Sequence, residues 1–363
     1  MPEVNQVKLG AFQKDIEKHI LPVVNEFDGD RITDESIIPP IIPVIEIGGS
    51  IFAAKGDLSI IGGLPKVGKT SVCAFMLATA LIKDCAHLDT LSIRTSFSEG
   101  RPVVYVDTEQ PKSYTDKLRR LVLKICGLSK EPSSLHIYNF RKYDSKEKNR
   151  RVFALMEQLP DAHLWIIDGV ADLIQDPNDT REAFGIVEQL MIKSDQLNTT
   201  IVAHIHENPG TSGKLRGNLG SEAERKCGGA ITIKRIKEKS IHQIEAKLIR
   251  GGPNFDDVFF RFDRELGMPV SLNSIEASEA KRSTDKSTVR LEKRIELAKR
   301  CLRTGALGYR DLVNAIVDAS GEIEGKKVSQ RTAESRVKEL VELKMVVQNG
   351  DYYEFNPAHI PQP

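Results

Sequence analysis

Eight consecutive residues, Gly63-Leu64-Pro65-Lys66-Val67-Gly68-Lys69-Thr70, restrict the folds open to this chain more than any other feature. They satisfy G-x-x-x-x-G-K-[ST] at every fixed position. The pattern makes a phosphate cradle only where a strand enters it and a helix leaves it. Leu58-Ser59-Ile60-Ile61 has the apolar character of such a strand, and Val72-Cys73-Ala74-Phe75-Met76-Leu77-Ala78 is a helical run. Glycines let the backbone turn tightly enough to aim several N–H groups at phosphates, and the helix N-terminus adds partial positive charge. Lys69 is expected to reach the β- and γ-phosphates of a nucleoside triphosphate and Thr70 to ligate Mg²⁺ through its hydroxyl. The stretch from Gly63 through Ser71 lines the triphosphate in this reading, so ATP and Mg²⁺ are the expected ligands.

At 363 residues the chain has room for one large α/β domain and a smaller one. A net charge of +1 excludes a wholly basic nucleic-acid coat, so any such surface must be local. The five cysteines are scattered without metal-ligand spacing and read as reduced thiols of a cytoplasmic protein. No signal-like N-terminus or membrane-spanning apolar run is visible, and neither secretion nor membrane insertion is expected.

Apolar positions Leu9, Phe12, Ile16, Ile20 and Val24 have helical spacing, so a lone amphipathic helix is expected over residues 7–27. Ile38-Pro39-Pro40-Ile41-Ile42-Pro43 reads as a linker or edge segment, because proline removes donors and fixes the backbone extended. Strands and helices then alternate to about residue 270, which indicates a mostly parallel sheet covered on both faces. Toward its end, Ala230–Ile236, Ser240–Ile249 and Val258–Phe262 lack intervening helices and read as an antiparallel extension. The ATP-binding domain is thus expected over residues 38–271, behind an N-terminal helix and linker (1–37). Residues 272–288, rich in Ser, Glu, Lys and Ala without an apolar stripe, read as an interdomain linker. Three helices and a small hairpin come next over 289–357, with Ser329 as the N-cap of the third helix and Asn349-Gly350 as the tight turn. That order suggests a winged helix-turn-helix.

Hydrolysis needs a second Mg²⁺ anchor and a group that orients the attacking water. Leu164-Trp165-Ile166-Ile167-Asp168 is an apolar strand ending in a carboxylate, as in a Walker B strand that brings Asp168 to the metal. Val103-Val104-Tyr105-Val106-Asp107-Thr108-Glu109 is another strand with an acidic end. Glu109 suits the general base; Asp107, on the same strand face, is the competing choice.

Placement of Glu109 after the strand that succeeds the phosphate-loop helix resembles RecA-like ATPases, including hexameric helicases of the DnaB and plasmid RepA types. The resemblance covers roughly residues 40–270 and is strongest to RepA-like AAA ATPases of plasmids and mobilisable elements. Pro65-Lys66 within the loop and Ile166-Ile167-Asp168-Gly169 carry it. It implies a RecA-like core that assembles around DNA into an oligomer such as a hexameric ring. Thr200-Ile201-Val202-Ala203-His204 resembles the strand that ends in a γ-phosphate sensor, with His204 the first candidate and His206 the second. The Gly-rich run from Asn208 to Glu222, with Lys214 and Arg216, corresponds to the loop that contacts single-stranded DNA. Ala246-Lys247-Leu248-Ile249-Arg250-Gly251-Gly252-Pro253 looks like K-x-R-N-G-P, which sends basic groups into a neighbour's active site. One extra residue between Lys247 and Arg250 leaves open which is the finger.

Residues 281–363 hold 16 Lys/Arg against 12 Asp/Glu, and the third helix offers Gln330, Arg331, Arg336 and Lys338 to duplex DNA. The reading is an ATP-hydrolysing helicase or replication protein of a mobile element. Its rival is a DNA-binding regulator whose oligomeric state ATP controls without translocation; a recombination ATPase resembling RadA is a third.

Overall fold

The computed structural model of the protein describes residues 27, 30–208, 213–236, 240–325 and 327–359. The helix expected over 7–27 lies outside them, apart from Phe27, which is in a turn. Chain order runs β1 (Pro43–Ile47), β2 (Ser50–Ala54), β3 (Leu58–Gly63), α1 (Lys69–Leu81), β4 (Ile93–Thr95), β5 (Val103–Asp107), α2 (Lys112–Cys126), β6 (Leu135–Asn139), α3 (Ser145–Gln158) and β7 (Leu164–Asp168). It continues through α4 (Thr180–Gln196), β8 (Thr200–His206), α5 (Gly217–Lys226), β9 (Gly229–Ile236), β10 (Ile241–Ile249), β11 (Val258–Asp263) and β12 (Met268–Ser271). Last come α6 (Ser274–Cys301), β13 (Leu307–Gly308), α7 (Tyr309–Glu324), α8 (Gln330–Glu342), β14 (Val346–Asn349) and β15 (Tyr352–Phe355).

One sheet dominates, in the order β12-β11-β10-β9-β3-β8-β7-β5-β6. From β9 to β6 every neighbouring pair is parallel, and from β9 to β12 every pair is antiparallel. Strands β3, β5 and β7 are buried at every position, which is why they read as unbroken apolar runs rather than alternating ones. Helices α1 and α2 cover one face, and α3, α4 and α5 the other. This mixed α/β layout with a mostly parallel sheet fits a RecA-like core. The phosphate loop leaves the carboxyl end of β3, the end at which open α/β sheets bind ligands. Strand β8 lies between β3 and β7, so side chains at the end of β8 stand between the loop and Asp168.

Several segments depart from expectation. The proline-rich segment gives way at Pro43 to β1, which pairs with β2 and β4 in a separate three-stranded antiparallel sheet. The end of the Gly-rich run, from Gly217, folds as α5, whose Leu219 and Ala223 are buried in the core shared with α3 and α4. Residues 272–288, read from the sequence as an interdomain linker, are largely helical. From Ser274 they belong to α6, one helix of 28 residues whose Asn273 and Glu276 form a reciprocal capping box. Ala, Glu, Lys and Arg are strong helix formers; the polar composition hid the helix because it lacks a broad apolar stripe. Ala277 and Ala280 near its start pack with Ile241 and Phe259 of the sheet. Ile295, Leu297 and Ala298 near its end join the core formed with α7 and α8. Strands β13, β15 and β14 make a small sheet beside those helices, Ser329 caps α8 through the Thr332 N–H, and Gly350 turns the hairpin at φ 63°.

Candidate active site

The phosphate loop is built on left-handed backbone. Gly63, Lys66 and Gly68 have φ of 142°, 65° and 101°. A Cβ on Gly63 would come within 2.6 Å of the Ile233 carbonyl oxygen, so the first glycine is required by space as well as conformation. Leu64, Pro65 and Lys66 are exposed at the tip, while Val67 is buried. Thr70 and Ser71 are half-buried in the first turn of α1, where the Ser71 N–H donates to the Gly68 carbonyl. A cavity of about 570 Å³ runs along the loop, bounded by residues 64–67 and by Glu207, Ile233 and Arg235.

Lys69 folds back over this loop. Its Nζ donates to the carbonyls of Gly63 at 2.7 Å and Leu64 at 3.0 Å, and lies 3.2 Å from His206 Nδ1. Burial pushes the ammonium below its usual range, against the attraction of Asp168, Glu109 and Glu207. Because an ammonium only donates, His206 Nδ1 accepts and Nε2 carries the ring proton. Nε2 faces Glu109, 3.1 Å from each carboxylate oxygen. Lys69, His206 and Glu109 thus form one polar row between β3 and β5.

Asp168 ends β7 in a different setting. Its Oδ2 accepts from the Tyr105 hydroxyl at 2.6 Å, and its Oδ1 lies 3.0 Å from His204 Nδ1. Burial opposes the charge, but His204, the Tyr105 hydrogen bond and Lys69 outweigh it and hold the carboxyl at about 2. Behind His204, Nε2 lies 2.8 Å from Cys73 Sγ on α1, a thiol that burial keeps protonated. The donor chemistry fits Mg²⁺: the Thr70 hydroxyl and the ionised Asp168 carboxylate are hard oxygens.

Glu109 and Asp107 separate clearly. Asp107 Oδ1 accepts from the Glu109 and Gln110 N–H groups at 3.0 and 2.8 Å, and Oδ2 from the Thr115 hydroxyl at 2.7 Å. Its oxygens are committed to the turn that starts α2. The Glu109 carboxylate is left to face His206. Thr108 ties the two acidic strand ends together, since its N–H donates to the Asp168 carbonyl at 2.7 Å and its hydroxyl to the Gly169 carbonyl at 2.9 Å.

Of the two sensor candidates on β8, His206 is the one that stands beside the loop lysine. Two residues earlier on the same strand face, His204 is 2% exposed and faces Asp168 and Cys73. Sequence reasoning missed Glu207 altogether. Its buried carboxylate accepts from the Thr232 hydroxyl at 2.6 Å and the Gly213 N–H at 3.3 Å, and its own N–H donates to the Gly63 carbonyl at 3.3 Å. It also missed Tyr105, although period-2 alternation puts residue 105 on the face of 107.

Lys214 and Arg216 are exposed just beyond β8, and the Arg216 N–H donates to the His206 carbonyl at 2.8 Å. Lys247 is the extra residue between Ala246 and Leu248, where the β10 register with β9 shifts. Its ammonium bonds the Gly213 carbonyl and the Glu224 carboxylate of its own chain, whereas Arg250 is exposed. On α8, Gln330, Arg331 and Lys338 are exposed but Arg336 is not. It lies on the inner face with Ala333, Val337 and Leu340 and donates to the Ser320 hydroxyl of α7, so it is not a surface contact for DNA.

With this geometry in view, residues 33–209 match a family described as an AAA domain. The matched segment is similar to P-loop ATPases. It contains the loop, Glu109, Asp168, His204 and His206, and supports nucleotide binding and ATPase activity of the RecA-like type. Strands β9–β12 and the C-terminal helices lie beyond the match. No curated protein is significantly similar to the chain. Among the described residues, no helix is long and apolar enough to cross a membrane.

Proposed function

We propose that the protein is a Mg²⁺-dependent ATPase that acts on DNA as an oligomer, a RepA-like replicative helicase or replication protein of a mobile element. The observation that carries the ATPase part is the row Lys69–His206–Glu109 beside Asp168. A triphosphate entering the cradle offers Lys69 phosphate oxygens in place of the two loop carbonyls it now holds. Thr70 and Asp168 would hold Mg²⁺, which would supply charge neutralisation at the phosphates. Glu109 accepts the proton of the attacking water, and His206 fixes the direction of its carboxylate.

The link to DNA is supported by the backbone tie between His206 and the basic loop. A shift of His206 on γ-phosphate loss moves the Arg216 N–H with it, and Lys214 and Arg216 contact the single strand. Exposed Arg250 serves as the finger toward a neighbouring subunit, because Lys247 is committed within its own chain. The C-terminal helices with their hairpin act as a winged helix that holds duplex through Gln330, Arg331 and Lys338.

ATP turnover measured with and without single-stranded DNA, beside unwinding of a forked duplex, tests the proposal. Stimulated turnover with strand separation is expected. Turnover indifferent to DNA, no unwinding, and duplex affinity set by ATP would replace the motor with an ATP-controlled regulator.

A further inference from the structure

The phosphate loop is braced from outside by a residue that belongs to no motif. His242, on β10, directs Nδ1 at the Val67 carbonyl oxygen, 2.6 Å away. That oxygen has no proton to give, so Nδ1 carries the hydrogen and donates it. The ring is held in place by Phe260 of β11, with centroids 5.0 Å apart and planes inclined by 16°, and Phe260 is itself buried. On the loop side there is no slack: a Cβ on Gly68 would come within 3.0 Å of the imidazole Nδ1. Glycine at 68 therefore admits this histidine as well as providing a left-handed φ.

The peptide joining Val67 to Gly68 is trans, and in a planar trans peptide the C=O and N–H point to opposite sides. Fixing the Val67 carbonyl on His242 consequently turns the Gly68 N–H the other way. We propose that His242 is a positioning residue of the nucleotide site: by donating to the Val67 carbonyl, it holds the Gly68 N–H aimed into the cradle at the triphosphate. Strand β10 lies in the antiparallel part of the sheet, outside the matched family segment. The inference rests on the reading that the loop binds ATP.

Two substitutions separate hydrogen bonding from packing. His242→Asn keeps an N–H donor near the position of Nδ1 and removes the ring. His242→Phe keeps a ring for Phe260 and removes the donor. The full-length proteins are titrated with mant-ATP and Mg²⁺, then competed with inorganic tripolyphosphate, which reports the cradle without base or sugar. His242→Phe should weaken both ligands about tenfold, while His242→Asn stays within about twofold of wild type. Wild-type binding by His242→Phe, or an equal loss in His242→Asn, would overturn the inference. Should His242→Phe not fold, His242→Asn decides alone: near-wild-type binding supports the donor role, and a tenfold loss in a folded protein refutes it. A wild type that binds neither ligand refutes the ATP-site reading itself, an outcome distinct from the loss of one variant.

Discussion

Nε2 of His206 stands 3.1 Å from both carboxylate oxygens of Glu109, although their strands, β8 and β5, are separated by β7. A side chain at the tip of β8 can span that gap because the row lies above the strand ends, where no pleat intervenes. The carboxylate is thereby turned toward the loop lysine.

Glu109→Gln keeps a group of the same shape beside His206 but removes the proton acceptor. kcat should fall by about two to four orders of magnitude, with the affinity for ATP nearly unchanged. Lys69→Ala should instead abolish nucleotide binding. Single-turnover hydrolysis and equilibrium titration on the same preparations distinguish the two. Hydrolysis at the wild-type rate by Glu109→Gln would remove it from the base role.

Asp107→Ala probes the turn. Three donors, the N–H groups of Glu109 and Gln110 and the Thr115 hydroxyl, lose their acceptor. Stability should drop by about 1–3 kcal/mol, read as a lower denaturant midpoint. Turnover should decline through misplacement of Glu109, so nucleotide affinity should change less than kcat.

His163 makes acid stability testable. Arg101 Nη2 lies 2.9 Å from its Nδ1 and the Ser96 carbonyl 2.8 Å from its Nε2, an arrangement that suits the neutral ring. Burial, then the Arg101 charge, push the imidazole down to about 4. An unfolded histidine takes up its proton near pH 6.5, so between those values the unfolded state binds the proton and the folded state does not. The contribution is intact above about pH 6.5 and is lost as pH falls toward 4. Urea midpoints near neutrality and at about pH 5 should differ by on the order of 2 kcal/mol from this residue. His163→Gln should shrink that difference, and an unchanged one would contradict the assignment.

Arg331 and Arg336, about 1.4 turns apart on α8 and so on different faces, should behave differently. Arg331→Ala combined with Lys338→Ala should weaken duplex binding and flatten its salt dependence, because each cation lost leaves counterions on the phosphates. Arg336→Ala should lower the melting temperature of the C-terminal helices, because it strips a partner from Ser320 within their core. Equal effects on DNA from both changes at unchanged stability would mean that α8 faces the duplex with its other side.

Legibility in the sequence tracked the range of the interaction. The loop, Asp168 and the parallel strands were readable because a local pattern fixes them: a glycine spacing, an apolar run, a terminal carboxylate. Choosing Glu109 over Asp107 was readable only as a preference, since both share a face and only the turn bonds to Asp107 separate them. His206, Glu207 and His242 act across strands that are distant in sequence, and which β8 histidine meets Lys69 depends on the β3–β8 register, which pairs Gly63 with His206. Arg336 looked available because a long charged side chain on a polar helix is normally solvated; the Ser320 hydroxyl on another helix made burial tolerable.

The single helix from Ser274 to Cys301 turns chain length into angle. Each residue of an α-helix advances the axis by about 1.5 Å and rotates the downstream chain by about 100°. Removing one residue from the middle of α6 would therefore swing α7, α8 and the hairpin around the axis by more than a quarter circle relative to β12. Inserting seven, close to two full turns, would nearly restore their azimuth at a distance about 10 Å greater. Variants of this segment should fall into in-phase and out-of-phase classes, a periodic response that a flexible tether of the same composition would not show.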